Sequence, residues 1–129
     1  MKILFLILSF LFVSFRLNAQ TSQEEKEKFM QMAIDLAKLS SSDGENWPFG
    51  AVIVKNGVVV GKGFNTAHTA NDATAHGEIN AIRDACKNLG TSWLEGCSIY
   101  TNGEPCPMCF GACFFAHIDT IYYGATKED

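Results

Sequence analysis

Hydrophobic and polar positions along this chain switch between two periods. Between Gln23 and Leu39, Phe29, Met30, Ala33, Ile34, Leu36 and Ala37 form a broad apolar stripe at helical spacing, and Ser22 with Glu25 makes a capping box ahead of it. The turn-rich stretch SSSDGENWP, residues 40–48, ends that first helix. Phe49 to Lys55 (FGAVIVK) and Val58 to Gly63 (VVVGKG) are β-branched runs joined by Asn56-Gly57, a strong hairpin signal. After a polar loop, Ala75, Ile79, Ile82, Cys86 and Leu89 return to helical spacing, which predicts a second helix over 74–89 closed by Gly90. Cys97 to Thr101 reads as a third strand, Pro107 to Ala116 as a helix opened by proline, and Thr120 to Tyr123 as a fourth strand.

This order implies an α/β layered domain whose sheet is mixed, with an antiparallel N-terminal hairpin and later strands parallel to each other. The 129 residues, 47% of them hydrophobic, suffice for one core and not for two. A formal charge of −4 with no run of Lys and Arg argues against a nucleic-acid partner. The densest charges, Glu24 to Lys28, read as a solvated helix face.

Before the first helix, Lys2, the apolar run Ile3 to Phe15, Arg16 and Ala19 have the layout of a signal peptide over 1–19, leaving a domain over 20–129. Loss of Lys2 and Arg16 would take the charge from −4 to −6. Export to a periplasm or the exterior is the expectation, with no stable membrane span after cleavage and an uncleaved anchor as the alternative. An oxidising compartment favours disulfides, yet the cysteines at 86, 97, 106, 109 and 113 are odd in number, so at least one is free or bound to something else.

Two motifs carry the chemistry, and each opens a helix: TAHGE at 74–78 and EPCPMC at 104–109. A C-x-x-C pair alone suits a redox disulfide, half of a structural zinc site, or two ligands of a catalytic metal. Both helix N-termini could face each other at one end of the sheet, and their partial positive charge favours the thiolate that a metal needs. Cys106 and Cys109 would then project together, with His76 as third ligand. Zinc held by Cys, Cys and His keeps a fourth position open for water, the arrangement of a catalytic site, and Glu78 is suited to move that water's proton. With Cys113 added, the site would instead be closed and structural. Cys86 and Cys97 read as core, His68 and His117 as loop residues, and Trp47 and Trp93 as aromatics capping the core.

HGE at 76–78 with PCPMC at 105–109 resembles the signature of the zinc-dependent nucleobase deaminase superfamily, the cytidine and deoxycytidylate deaminases and their kin. The resemblance spans about Phe29 to Tyr123. Within it, PFGAVIV at 48–54, NDATAHGEINAIRDACKNLG at 71–90 and EPCPMCFGA at 104–112 look most like guanine and guanosine deaminases. It implies a cytidine deaminase-like three-layer α/β/α domain, with zinc on His76, Cys106 and Cys109 and Glu78 as proton shuttle. It also implies that Asn65 hydrogen-bonds a purine and that Phe49 lines the pocket. The implied reaction is hydrolytic deamination of a small purine substrate, guanine to xanthine first, with a cytosine or tRNA-adenosine type as alternative. A non-catalytic, zinc-stabilised module is the rival reading. Such proteins continue through a further helix, strand and C-terminal helix, so a C-terminally shortened chain is expected. Its fourth strand would be left as an apolar edge, and a homodimer follows as the expectation.

Overall fold

The computed structural model describes residues 22–126 and residue 128. The element order is a helix α1 over 22–40, β1 (Gly50–Lys55), β2 (Val58–Phe64), a one-turn helix α2 (Ala67–Ala70), α3 (Gly77–Leu89), β3 (Cys97–Gly103), α4 (Pro107–Phe115) and β4 (Thr120–Ala125). The expected signal segment, 1–19, lies outside the described residues.

Asn56 and Gly57, at φ 51° and 76°, make the tight turn between β1 and β2 that the Asn-Gly pair predicts. The four strands lie in the order β2-β1-β3-β4. β1 is antiparallel to both β2 and β3, while β3 and β4 are parallel and joined through α4. The mixed sheet and the parallel later pair are as expected. The alternation of β1 decides the layers: Ala51 and Ile53 face a core shared with Ala81, Ala85, Leu94, Ile99 and Cys113, whereas Val52 and Val54 face Phe29 and, with it, Met30 and Leu36 of α1. The sheet is thus sandwiched by α1 on one side and by α3 and α4 on the other, the three-layer arrangement the resemblance implies.

The elements differ from the pattern-based reading at several points. α3 begins at Gly77 rather than at residue 74, because Thr74 and Ala75 are held in a turn by Asp72, whose Oδ1 accepts from the Thr74 N–H at 2.8 Å and from its hydroxyl at 2.6 Å. α2 arises inside what reads as a polar loop, and it lacks the apolar periodicity that would reveal it. β3 and β4 each run two residues further than expected, to Gly103 and Ala125, since their parallel register continues to that pair.

Close packing of α3 on β2 depends on two glycines. A Cβ at Gly61 would meet Ala85, and one at Gly63 would collide with the Ala81 nitrogen and the Gly77 carbonyl. The N-terminus of α3 can therefore sit directly over the sheet.

Candidate metal centre and adjoining cavity

His76 is the N-cap of α3 and Cys106 the N-cap of α4. Their backbones adopt nearly the same extended conformation, φ −72°, ψ 161° and φ −68°, ψ 165°, and neither side chain caps its own helix. Both side chains turn toward each other. The His76 Nδ1 lies 3.7 Å from the Cys106 Sγ and 3.6 Å from the Sγ of Cys109, one turn into α4. All three ligand atoms fall within 4.8 Å of one another.

This donor set fits zinc. Tetrahedral zinc with Zn–S of about 2.3 Å and Zn–N of about 2.05 Å holds a nitrogen and a sulfur roughly 3.6 Å apart, which the two observed separations match. The Cys109 thiol is buried, and its pKa is pushed well above the ordinary thiol range, first by burial and then by the charge of Glu78. A cation beside it removes that penalty. Cys113, by contrast, packs among Ile99, Ala116 and Leu94, away from the triad, and burial raises its thiol pKa to about 11. It is a core residue, so the closed Cys₃His arrangement does not form.

Beside the triad opens a cavity of about 390 Å³ lined by Trp47, Phe49, Asn65, His76, Glu78, Glu104 and Cys106. Glu78, in the first turn of α3 and only 5% exposed, brings a carboxylate to this wall where the helix dipole favours negative charge. Asn65 is buried just past β2; its Oδ1 accepts from the Ala67 N–H at 3.0 Å, which leaves its amide NH₂ to offer a ligand. Phe49 precedes β1, with one edge of its ring against Gly103.

Three asparagines that the motif reading passes over build this frame. Asn102 accepts from the Gly50 N–H and donates to the Pro48 carbonyl, both at 2.9 Å, clamping the segment that carries Phe49 to the end of β3. Asn80 donates to the Phe64 carbonyl at 2.9 Å and the Thr66 hydroxyl at 3.0 Å, tying α3 to the residues flanking Asn65. Asn46 accepts from the His68 N–H at 3.2 Å, joining the loop after α1 to α2. Their only sequence signal is that each sits at a turn or element end.

Other expectations resolve simply. Cys97 is fully buried, Cys86 packs at the core's edge, and none of the five cysteines forms a disulfide. His117 lies past α4 at φ 58°, its ring tilted against that of Trp93 at 4.1 Å between centroids. His68 is in α2 rather than a loop. Trp47 does not cap the core: it is 63% exposed on the cavity wall.

A mixed-sheet α/β/α domain that presents one His and two Cys from facing helix N-termini beside a buried Glu is the architecture of a zinc deaminase domain. The chain belongs to the cytidine and deoxycytidylate deaminase zinc-binding family, whose model matches residues 23–125. It is 47% identical over 103 residues to the guanine deaminase of Bacillus subtilis (strain 168), an alignment that covers 80% of this chain and 66% of that protein. It is 41% identical over 103 residues to the tRNA-specific adenosine deaminase of Aquifex aeolicus (strain VF5), covering 80% and 68%. The X-ray structure of the Bacillus subtilis guanine deaminase superimposes with a TM-score of 0.77 over the same 80% of this chain.

The expectation of export, with membrane anchoring as its alternative, is corrected by these relatives. They are named as a guanine deaminase and a tRNA-specific adenosine deaminase, names that do not support export. Among the described residues no helix is long and apolar enough to cross a membrane. The apolar run Ile3 to Phe15, on which that expectation rested, lies outside the described residues.

Proposed function

We propose that this chain is a zinc-dependent hydrolytic deaminase of a purine base or nucleoside, with guanine, converted to xanthine and ammonia, as the first substrate to consider. The observation that carries this reading is that His76 and Cys106 line the same cavity as the Glu78 carboxylate, with the buried Cys109 sulfur within 4.8 Å of both their donor atoms.

His76 Nδ1 and the sulfurs of Cys106 and Cys109 are the proposed zinc ligands, and zinc held there supplies a water made nucleophilic near neutral pH. Glu78 takes a proton from that water on a carboxylate oxygen, delivers it to a ring nitrogen of the base, and in a second transfer protonates the departing amine, so that water enters and ammonia leaves. The Asn65 NH₂ donates to a carbonyl oxygen of the base, and the Phe49 ring covers one face of it. Burial of Glu78 keeps bulk water from competing for the proton.

Guanine stands ahead of tRNA adenosine for two reasons: the higher identity to the guanine deaminase, and a cavity lined by Glu78 and Glu104 with no Lys or Arg among its lining residues. A surface that tracks a phosphate backbone needs clustered cationic side chains, and this lining offers none. The proposed assembly is a homodimer, supported by β4 at the sheet edge and by the exposed Phe110, Phe114 and Phe115 of α4.

An ammonia-release screen of the purified protein against guanine, guanosine, adenine, adenosine, cytosine and cytidine, with metal content measured on the same sample, tests the reading. Silence across that panel with one zinc per chain would replace it with the non-catalytic zinc-stabilised module.

A further inference from the structure

Among the described residues the buried polar side chains are those of Ser40, Asn65, Glu78 and Thr101. Asn65 and Glu78 line the cavity, whereas Ser40, the last residue of α1, is not part of its lining. We propose that Ser40 is a positioning residue for the substrate: from the layer across the sheet, its hydroxyl ties Asn65 to the 47–49 segment and so fixes where the Asn65 NH₂ meets the base. This role rests on the deaminase reading, because it takes Asn65 to hold the base.

Nothing in its neighbours along the chain marks Ser40 out. It opens the run Ser40-Ser41-Ser42, and serines at a helix end commonly bond back to the helix's own carbonyls. Ser41 and Ser42 do so, donating to the Ala37 carbonyl at 3.4 Å and the Leu39 carbonyl at 2.9 Å. The Ser40 hydroxyl instead reaches the Trp47 carbonyl at 2.8 Å and the Asn65 carbonyl at 2.7 Å, 7 and 25 residues further along the chain. Ser40 is 2% exposed, so bulk water does not compete for those carbonyls.

Its two acceptors belong to segments already bonded to each other. The Trp47 carbonyl also accepts from the Phe49 N–H, and the Phe49 carbonyl accepts from the Asn65 N–H, both at 2.8 Å. Ser40, Trp47, Phe49 and Asn65 thus close a ring of hydrogen bonds whose one side-chain member is the Ser40 hydroxyl. Because the Asn65 Oδ1 is held by the Ala67 N–H at 3.0 Å, a shift of the Asn65 backbone carries its NH₂ along. Gly50 lets α1 come close enough for this: a Cβ there would collide with the Ala33 carbonyl and the Ala37 nitrogen.

Steady-state kinetics on the zinc-loaded full chain, and guanine affinity in a Glu78→Gln background, test this. Ser40→Ala should raise KM for guanine about tenfold with kcat within about twofold, because Asn65 touches a part of the base that does not react. The Kd for guanine in the Glu78→Gln protein should rise by the same factor. In an Asn65→Ala background Ser40→Ala should add less than about twofold to KM, while its shift in melting temperature stays as in the parent. Ser40→Cys keeps the volume and donates weakly, so it should match Ser40→Ala, and it carries the test if that variant does not fold. A lowered melting temperature with KM unmoved, or an equal KM effect with and without Asn65, would overturn the positioning role. Guanine affinity that responds to Ser40 in a parent protein that releases no ammonia would sink the deaminase reading and keep the positioning role. Turnover indifferent to Ser40 would do the reverse, and absence of guanine binding would sink both.

Discussion

The Nδ1 of His76 and the Sγ of Cys106 lie 3.7 Å apart although thirty residues of chain separate them. Each is the N-cap of its helix, and each has given up capping to face the other. The site is therefore held by two helix starts rather than by a flexible loop, and metal binding should brace the α3 and α4 side of the fold. Replacement of His76 by Ala, or Cys106 by Ser, should abolish stoichiometric zinc in elemental analysis. With free zinc a thousandfold over its Kd, binding stabilises by about 4 kcal/mol, or roughly 15 °C of Tm for a domain this size. A melting temperature unmoved by chelation would show that the metal does not brace the fold.

Glu78 is the buried carboxylate on the wall beside the triad. Glu78→Gln keeps its shape and removes its proton transfer, so kcat should fall by about 10² to 10⁴ while zinc content stays at the parent value. Retained turnover would remove Glu78 from the proton path.

Gly63 lies where α3 presses on β2, and a methyl there has no room beside Ala81 and Gly77. Gly63→Ala should cost about 1–3 kcal/mol in urea unfolding. It should also weaken zinc retention, because Gly77 is the residue after His76 and moves with it.

At Gly103 the neighbour is softer. A Cβ there would come within 2.9 Å of Cε1 of Phe49, a side chain that can swing rather than a backbone that cannot. Gly103→Ser should therefore leave stability within about 0.5 kcal/mol of the parent. Displacement of Phe49 from the cavity wall should raise KM roughly three- to tenfold, about 0.7–1.4 kcal/mol. A large stability loss with unchanged KM would contradict this division.

Asp72 holds the turn just ahead of His76, and hydrogen bonds from Thr74, helped by Arg83, keep its carboxyl below the ordinary 3.8. A depressed folded-state pKa makes the turn's contribution complete above the ordinary value and lost as pH falls through the lower, folded one. In an NMR titration the Thr74 amide should report a midpoint below 3.8, and that transition should vanish in Asp72→Asn. A midpoint at or above 3.8 would mean the turn gains nothing from the charge.

Much of this protein is legible from local pattern because local physics produces it. The β-branched run in FGAVIVK, the Asn56-Gly57 turn, and proline at the start of α4 each act within a few residues, and all form where expected. HGE and EPCPMC likewise point to one metal centre, since a cysteine pair one helical turn apart and a histidine have few other joint uses.

What local pattern could not decide is who meets whom across the sheet. Pairing of β1 with β3, and the order β2-β1-β3-β4, bring Asn102 to Pro48 and so set Phe49 beside the metal centre. Cys113 has the spacing of a fourth ligand, but it is 1% exposed in the core packed around Ile99. Trp47 could have capped a core like many loop aromatics; the hydrogen bonds from Ser40 and Phe49 instead fix it at the cavity mouth. The amino-acid sequence by itself determined all the longer elements and pointed to the proposed metal donors, because those follow from neighbours along the chain. Only the tertiary structure decided the cavity and its exposed tryptophan, because these depend on strand pairing and on contacts between residues far apart in sequence.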